Sequence, residues 1–453
     1  MSRTPSQPPQ SPARRRLLGG LGVAGAALAA SPLATAATRA GAAPDADTGH
    51  VTDAPLSAHS DQHVAWLGQH QAGITTPRPA SGLLASFYVL AEDRPALERL
   101  FRLLTDRIAF LTEGGDEPQL DPKLPPASSG LLGPHISPDA LTITVSLGES
   151  LFDDRFGLTA LKPLHLQQMR AHSNDALDAS LCHGDLSIQF CANTPDTHLN
   201  ALRDIIKNTP DLLSLAWKQE GTVPPVPAVR GQPPQSARNF LGFRDGSANP
   251  DAADARQMDT LVWVGADRGE PAWAVGGSYQ AVRIIRNFVE RWDRTPLQEQ
   301  EAIMGRRKAD GAPLDGGRDE HAVPDFSRDP HGQRTPMDAH IRLANPRTAD
   351  TARNLILRRP FNYSNGVTRS GQLDMGLLFI CYQADLEQGF LAVQRRLDGE
   401  PLEEYIKPVG GGFFYTLPGV RDRGDWLGSA LLQAADAVAP APTQPASDQG
   451  PSA

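Results

Sequence analysis

Residues 82–91, GLLASFYVLA, open the stretch of sequence that decides the fold, as an apolar run of strand length. Further segments follow with the period of a helix or the alternation of a strand. In order, they are a helix at 94–112, strands at 141–147 and 186–191, a helix at 196–208 and a last apolar segment at 212–217. This β-α-β-β-α-β order predicts a ferredoxin-like domain.

The same ingredients recur in the second half, which opens with apolar segments at 260–265 and 277–285. The later segments are a helix at 286–294, a strand at 376–382, a helix at 386–397 and a strand at 412–417. A stretch rich in Gly, Pro and charge, from Gly305 to about Pro336, exceeds the usual loop length and suggests a functional or wrapping loop. We therefore predict an α+β protein with two ferredoxin-like domains of antiparallel sheet flanked by helices, at 61–250 and 251–433.

The segment 242–250, GFRDGSANP, lies between the two halves. Its glycines, Asn249 and Pro250 favour a tight turn that presents Asp245 instead of burying it in a strand. The competing interpretation is an Asp that caps a turn or a helix, which is the more common role of a lone Asp-Gly pair. The motif alone leaves both roles open.

A second candidate is His340, which begins the segment HIRLANPR at 340–347 beside the long loop. Imidazole is a standard axial ligand of haem iron, and it needs an acceptor on its other nitrogen to fix its orientation. Taken alone, this His is more often a surface or capping residue than a ligand.

These segments, in this order, resemble the dye-decolorising (DyP-type) haem peroxidases, and specifically their exported deferrochelatase/peroxidase branch, the EfeB type. The resemblance spans about residues 60–433. Besides the two segments already quoted, it rests on GQHQAGI at 68–74, SLFDDRFGL at 150–158, ILRR at 356–359 and LFICYQADLE at 378–387. A single short motif would be weak, whereas the ordered series is specific.

The resemblance implies a haem b, one per subunit, between the sheet and the helices of the C-terminal domain. It makes His340 the proximal iron ligand, Asp245 the acid/base group on the distal face and Arg358 its electrostatic partner. The other residues that it places at the haem are Gly246, Ser247, Ala248, Asn345, Pro346, Arg347 and Asp385. Arg347 is suited to a propionate, and Asp385 matches the carboxylate that accepts the proximal imidazole N–H, although a helix N-cap is an equal alternative for Asp385.

Peroxide cleavage needs residues of these types. One group must take a proton from one peroxide oxygen and return it to the departing oxygen, while a cation stabilises the developing negative charge. The unperturbed pKa is about 3.9 for an Asp carboxyl group and about 6.5 for imidazole. An Asp base therefore remains deprotonated in mild acid, where a His would be protonated. We therefore expect an acidic activity optimum, and an optimum at or above neutrality with several substrates would count against Asp245 as sole base.

Residues 1–36 have the order of a twin-arginine export signal, with Arg14-Arg15-Arg16, an uncharged run and a small-residue cleavage site. The uncharged run is too short to span a membrane, so we expect export to the periplasm, or to the cell surface or exterior in a single-membrane host. Removing this segment takes the net charge from −9 to −13, which argues against a nucleic-acid partner. Residues 37–60 and 434–453 have the composition of disordered segments.

The sequence has three cysteines, with no spacing suited to zinc or an iron–sulfur cluster. Cys182 and Cys191 either pair in an oxidising compartment or remain buried thiols, and the sequence leaves both states open.

The sequence leaves three candidate functions for this chain. The first is a peroxidase that reduces hydrogen peroxide and oxidises an organic or metal-ion donor. The second, taken from the resemblance, is a deferrochelatase that releases iron from haem with the tetrapyrrole intact, alongside an iron-uptake permease. The third is a non-catalytic haem carrier, against which Asp245 and Arg358 argue because a carrier needs no distal acid/base pair. By analogy with the family we expect a homodimer.

Overall fold

Strands that are buried on both faces form the centre of the fold. Every residue of the strands at Thr142–Gly148 and Leu186–Ala192 is buried. Leu, Ile, Val and Phe alternate along them with Ser, Thr and Gln, so one face of the sheet packs on an apolar core and the other holds buried polar groups. On that polar face the Tyr382 hydroxyl donates to Gln189 Oε1 at 3.0 Å and accepts from Gln280 Nε2 at 2.8 Å. Buried polar groups are thus paired, as a stable interior requires.

The protein is described by a computed structural model that covers residues 60–226 and 235–438. The expected export signal, nearly all of the expected linker and residues 439–453 lie outside these residues. All described residues belong to one compact unit.

Eleven strands are present in the described residues. They are β1 (Ser81–Val89), β2 (Gly115–Asp116), β3 (His135–Ile136), β4 (Thr142–Gly148), β5 (Leu186–Ala192), β6 (Leu213–Thr222), β7 (Ser278–Asn287), β8 (Leu357–Arg358), β9 (Phe361–Val367), β10 (Leu373–Gln383) and β11 (Ile406–Thr416). The α-helices are α1 (Arg94–Glu113), α2 (Pro195–Asn208), α3 (Ala255–Leu261), α4 (Val289–Trp292), α5 (Leu297–Met304), α6 (His340–Ala344), α7 (Ala392–Leu397) and α8 (Ser429–Val438), and a π-helix at Glu387–Leu391 precedes α7.

Nine of these strands form one sheet in the order β7-β11-β4-β5-β1-β6-β9-β10-β8, and an additional β7–β10 pairing closes it on itself. Each half therefore places its own strands in the spatial order fourth, first, third, second: β6-β1-β5-β4 and β11-β7-β10-β9. The named strands pair antiparallel. The predicted α+β class and the two β-α-β-β-α-β halves are confirmed, and the halves share one sheet through β4–β11 and β6–β9.

Helix α1 shows why the first half folds as predicted. The Asp93 side chain accepts from the Ala96 amide at 2.9 Å, which caps the N-terminus, and Pro95 occupies the first turn, where its missing N–H costs nothing. Its buried side chains recur every three or four residues, at Leu97, Leu100, Phe101, Leu104, Thr105, Ile108, Leu111 and Thr112. This stripe packs the helix against the sheet.

Several details differ from the sequence prediction. Residues 260–265 form no strand, because α3 ends at Leu261 and an irregular segment follows. The helix expected at 286–294 is shortened to α4, since β7 runs on to Asn287. At the C-terminus α8 continues to Val438, so the tail expected from residue 434 begins inside a helix.

Cys182, Cys191 and Cys381 are free and buried, which decides the cysteine alternatives in favour of thiols. Within residues 60–226 and 235–438, no helix is long and apolar enough to cross a membrane.

Candidate active site

A large cavity lies between the second-half strands and the helices that follow them, and we call it the main cavity. Its volume open to the centre of a water molecule is about 260 Å³. The walls are mostly apolar, with side chains from β7 and β10 on one side and from α6, the π-helix and α7 on the other. These apolar residues include Ile285, Leu377, Phe379, Ile341, Phe390, Val393 and Leu397. Such a space suits a flat, largely hydrophobic ligand.

Asp245 and Arg358 face this cavity together. Arg358 Nη1 donates to Asp245 Oδ1 at 3.1 Å, and both side chains are largely buried, with 25% and 12% of their surfaces exposed for Arg358 and Asp245. The second carboxylate oxygen, Asp245 Oδ2, is buried and has no hydrogen-bond partner among the described residues. A buried acceptor without a partner is costly, so this oxygen is suited to a ligand or a water.

The GFRDGSANP turn is tied directly to the strand that carries Arg358. Asn249 Oδ1 accepts from the Arg358 amide at 2.8 Å, and Asn249 Nδ2 donates to the Arg358 carbonyl at 3.0 Å. Within the turn, a Cβ at Gly246 would come within 2.6 Å of Ser236 Cβ, so only glycine fits there. These contacts explain why Asp245 and Arg358, more than a hundred residues apart in sequence, meet with a fixed geometry.

His340 begins α6 and lines the main cavity. Its Nδ1 lies 2.7 Å from Glu400 Oε2, and the Glu400 side chain is only 4% exposed. Burial alone would lower the pKa of His340, but the Glu400 carboxylate outweighs it, so the pKa lies above its ordinary value. With Nδ1 engaged, Nε2 is the nitrogen left for the cavity.

The predicted role of Asp385 as acceptor of the His340 N–H is wrong. Asp385 Oδ1 accepts from the amides of Glu387 and Gln388, at 2.9 and 3.0 Å, and therefore caps the π-helix, which was the alternative role. Its other oxygen lies 3.6 Å from His165 Nε2. Glu400 takes the place at His340, and sequence reasoning missed it because nothing local distinguishes this Glu from its acidic neighbours.

The remaining predicted residues fall into two groups. Ser247, Ala248, Asn345 and Arg347 line the main cavity, whereas Gly246 and Pro346 do not. Gly246 acts through the turn described above, and Pro346 lies between two lining residues.

Arg306, at the start of the long loop, is a cavity residue that the sequence did not single out. It is 5% exposed and donates through Nη1 to the carbonyls of Gly311 and Glu320. Burial, with the nearby charges of Arg347 and Arg358, lowers its pKa to about 10, so it remains a cation at neutral pH. Arg306 and Arg347 thus place two cations in a lining that also holds Asp245 and Glu400, and the signal in the sequence was only the unusual length of the loop.

The residues present fit a haem. A tetrapyrrole needs apolar walls, cations for its propionates and an imidazole oriented by an acceptor, and the main cavity supplies all three. In the part of the chain that the structure describes, no group of three or more His, Cys, Asp or Glu side chains is arranged to hold a bare metal ion.

Comparison with known proteins gives matches over both halves. The family model "Dyp-type peroxidase, N-terminal" matches residues 71–222, and "Dyp-type peroxidase, C-terminal" matches residues 236–421. Proteins named deferrochelatase are similar along nearly the whole chain. One from Escherichia coli O6:K15:H31 is 56% identical over 426 residues, which is 93% of this chain and 97% of that protein. One from Yersinia pseudotuberculosis is 55% identical over 424 residues, or 94% and 96% of the two chains.

Solved structures give the same result for the fold. A DyP-type peroxidase from Cellulomonas bogoriensis superposes with a TM-score of 0.73 at 35% identity, covering 83% of this chain and 100% of that one. Ferric DtpA from Streptomyces lividans superposes with a TM-score of 0.74 at 33% identity, covering 84% and 99%.

Proposed function

The chain belongs to the Dyp-type peroxidase family, and we propose that its main cavity holds one haem b, whose iron His340 would bind while Asp245 and Arg358 would serve as the acid/base pair. The observation that carries this proposal is that an oriented imidazole and an acid/base pair line one apolar cavity. When bound, the haem supplies the iron at which hydrogen peroxide is reduced.

Asp245 handles the proton in this proposal. Its free oxygen, Oδ2, accepts a proton from one peroxide oxygen and returns it to the other as the bond between them breaks. Arg358 holds Oδ1 and presents a guanidinium to the same space, where it stabilises the negative charge that develops on the departing oxygen. The Asn249 bonds keep the pair in place, so no reorganisation is needed during the reaction.

Glu400 and the cavity arginines position the ligand. By accepting the His340 Nδ1–H, the Glu400 carboxylate fixes the tautomer and direction of the imidazole and raises its basicity. Arg347 and Arg306 provide cations suited to the haem propionates.

The test compares Asp245→Asn with Asp251→Asn, which neutralises an exposed Asp just past the same turn. We expect both variants to bind haem, and only Asp245→Asn to slow the second-order reaction with hydrogen peroxide, by about 10²–10⁴-fold. Unchanged peroxide reactivity in Asp245→Asn would favour the haem-carrier function instead.

Deferrochelation is the second candidate, favoured by the relatives of that name at 55–56% identity. It would use the same haem site, with an iron-uptake permease as partner. Product analysis separates the two candidates. Release of intact protoporphyrin from bound haem under reducing conditions supports deferrochelation, and its absence together with rapid peroxide turnover supports the peroxidase role.

The predicted domains at 61–250 and 251–433, the homodimer and twin-arginine export to the periplasm remain part of the proposal. Export is checked by fractionating cells that produce the full chain and the Arg15→Lys/Arg16→Lys double variant. Retention of only the variant in the cytoplasm supports it.

A further inference from the structure

A second, smaller cavity adjoins the main cavity, since Asn239, Asp245 and Leu377 line both, and we call it the rear pocket. Its volume is about 10 Å³, which is close to the space that one water molecule requires. Asp245 contributes to both cavities. The other polar groups of the rear pocket include Arg78, Asn239, Asn362 and the exposed Thr222 at its rim.

Hydrogen bonds tie the wall of the rear pocket to the two residues that follow Arg358. Arg78 Nη1 donates to the Pro360 carbonyl, and Arg359 Nη1 donates to the Thr76 carbonyl. These bonds join the segment before β1 to the residues that directly follow Arg358. These contacts hold the Arg78 side chain in place at the rear pocket.

Two buried oxygens of the rear-pocket residues lack partners among the described residues. They are Asp245 Oδ2 and Asn362 Oδ1. The Asn362 amide nitrogen is already engaged with the Arg238 carbonyl at 2.9 Å, so this side chain is held with its oxygen free. Arg78 adds a guanidinium to the same lining, and burial lowers its pKa although the nearby charge of Asp245 opposes this. A water at this place has the two to four polar partners that a buried water needs.

We propose that one ordered water in the rear pocket links Asp245 to Asn362 and Arg78, and that protons reach Asp245 from solvent by this route. Asn362 and Arg78 are then positioning residues for the water. The inference rests on the proposed function in one respect, the use of Asp245 as the acid/base group.

The proton requirement of peroxide reduction explains why such a route is needed. Reduction of one hydrogen peroxide to two waters takes up two electrons and two protons. A donor such as hydroquinone brings one proton with each electron, whereas ferrocyanide brings electrons only, so both protons then come from solvent. The main cavity is the proposed haem site. The rear pocket reaches the same carboxylate through other residues, which include Arg78, Asn362 and the exposed Thr222.

The first test is a crystal structure of the wild-type protein at a resolution that shows ordered waters, without and with haem. We expect a water within hydrogen-bond distance of Asp245 Oδ2 and Asn362 Oδ1 in both forms. A rear pocket without this water would overturn the proposal, and this result depends on no variant.

The second test uses Asn362→Leu, with Asn365→Leu as the matched control. Asn365 lies on the same strand but is exposed, and its amide group bonds to Gln219 instead. We expect Asn362→Leu to lower ferrocyanide turnover about tenfold or more, because a positioned proton transfer contributes about 10²–10⁴-fold. Hydroquinone turnover and the initial reaction with peroxide should change far less, and the control should match the wild type.

Each other outcome has a definite meaning. Equal ferrocyanide turnover in the two Asn variants would overturn the route. An equal loss with both donors and in the peroxide step would show that Asn362 only shapes the site, which would also overturn it. Failure of the proposed function is recognised separately, by Asp245→Asn reacting with peroxide at the wild-type rate.

Discussion

Glu400 shows how much of the site depends on single side chains. Its buried carboxylate bonds to His340 across 60 positions of sequence, while Asp385, which the family resemblance favoured, caps a helix. The motifs predicted His340, Asp245 and Arg358, because each lies in a segment of distinctive composition. Glu400, Arg306 and Arg78 have no such segment, since what distinguishes them is burial and contact with distant residues.

We expect Glu400→Gln to weaken the hold on haem by about 10–100-fold, the usual effect of removing an acceptor behind a metal-binding imidazole. The amide keeps a hydrogen-bond acceptor but loses the charge that raises the pKa of His340. Haem titration by absorbance measures the effect, and Glu404→Gln, at an exposed neighbour, is the control. Equal haem affinities of the two variants would show that Glu400 has no such role.

At the level of elements, the contact between helix α2 and strand β1 depends on a neutral imidazole. His198 Nε2 lies 2.8 Å from Ser81 Oγ, and both residues are buried. Burial lowers the pKa of His198 to about 4. The unfolded chain therefore binds a proton below about pH 6.5, whereas the folded protein resists protonation until about pH 4. The contribution of neutral His198 to folding stability is therefore complete above pH 6.5 and is lost as the pH falls towards about 4.

The pH dependence of unfolding checks this contact. Between pH 7 and pH 4 we expect the wild type to lose about 3 kcal/mol of unfolding free energy through His198. This figure follows from the lowering of the His198 pKa from 6.5 to about 4, at about 1.36 kcal/mol per pKa unit. The His198→Gln variant should lack this part of the loss in urea titrations, and the variant of the exposed His135, His135→Gln, should behave as the wild type does. Identical pH profiles for all three proteins would refute the assignment.

The sequence predicted most elements but not all of their limits. Strands β1, β4, β5, β10 and β11 follow from apolar or alternating runs, because burial on at least one face leaves that signature. The segment 260–265 carries the same apolar signature, yet α3 extends into it, since a short buried run does not distinguish a strand from a helix end. The geometry of the site could not be predicted where it depends on hydrogen bonds between residues far apart in sequence, such as the one between Asn249 and Arg358.

At the scale of the whole molecule, the closed sheet joins the two halves. Strand β11 pairs with β4, and β9 pairs with β6, so the strands of the two halves form one continuous sheet. The sequence predicted the two halves by their repeated order of elements. It did not show that their sheets join, because the residues at that contact look like ordinary strand residues.

We therefore expect the haem-free chain to unfold in one cooperative transition. Calorimetry and far-ultraviolet circular dichroism should give the same midpoint, as expected when no intermediate accumulates. Haem should raise that midpoint as its concentration increases, because it binds only the folded form. Two separate transitions, each assigned to one half by limited proteolysis, would show that the halves unfold independently despite the shared sheet.

The proposed haem site depends on His340 as the residue that binds the iron in the main cavity. The most direct measurement is the absorption spectrum of the haem-reconstituted protein, before and after one equivalent of hydrogen peroxide, for the wild type and His340→Ala, with His135→Ala as control. We predict a ferric haem spectrum that changes with peroxide in the wild type and the control, and loss of haem binding or of that spectrum in His340→Ala. Unchanged haem binding and an unchanged spectrum in His340→Ala would contradict the ligand assignment and, with it, the assignment of both haem faces.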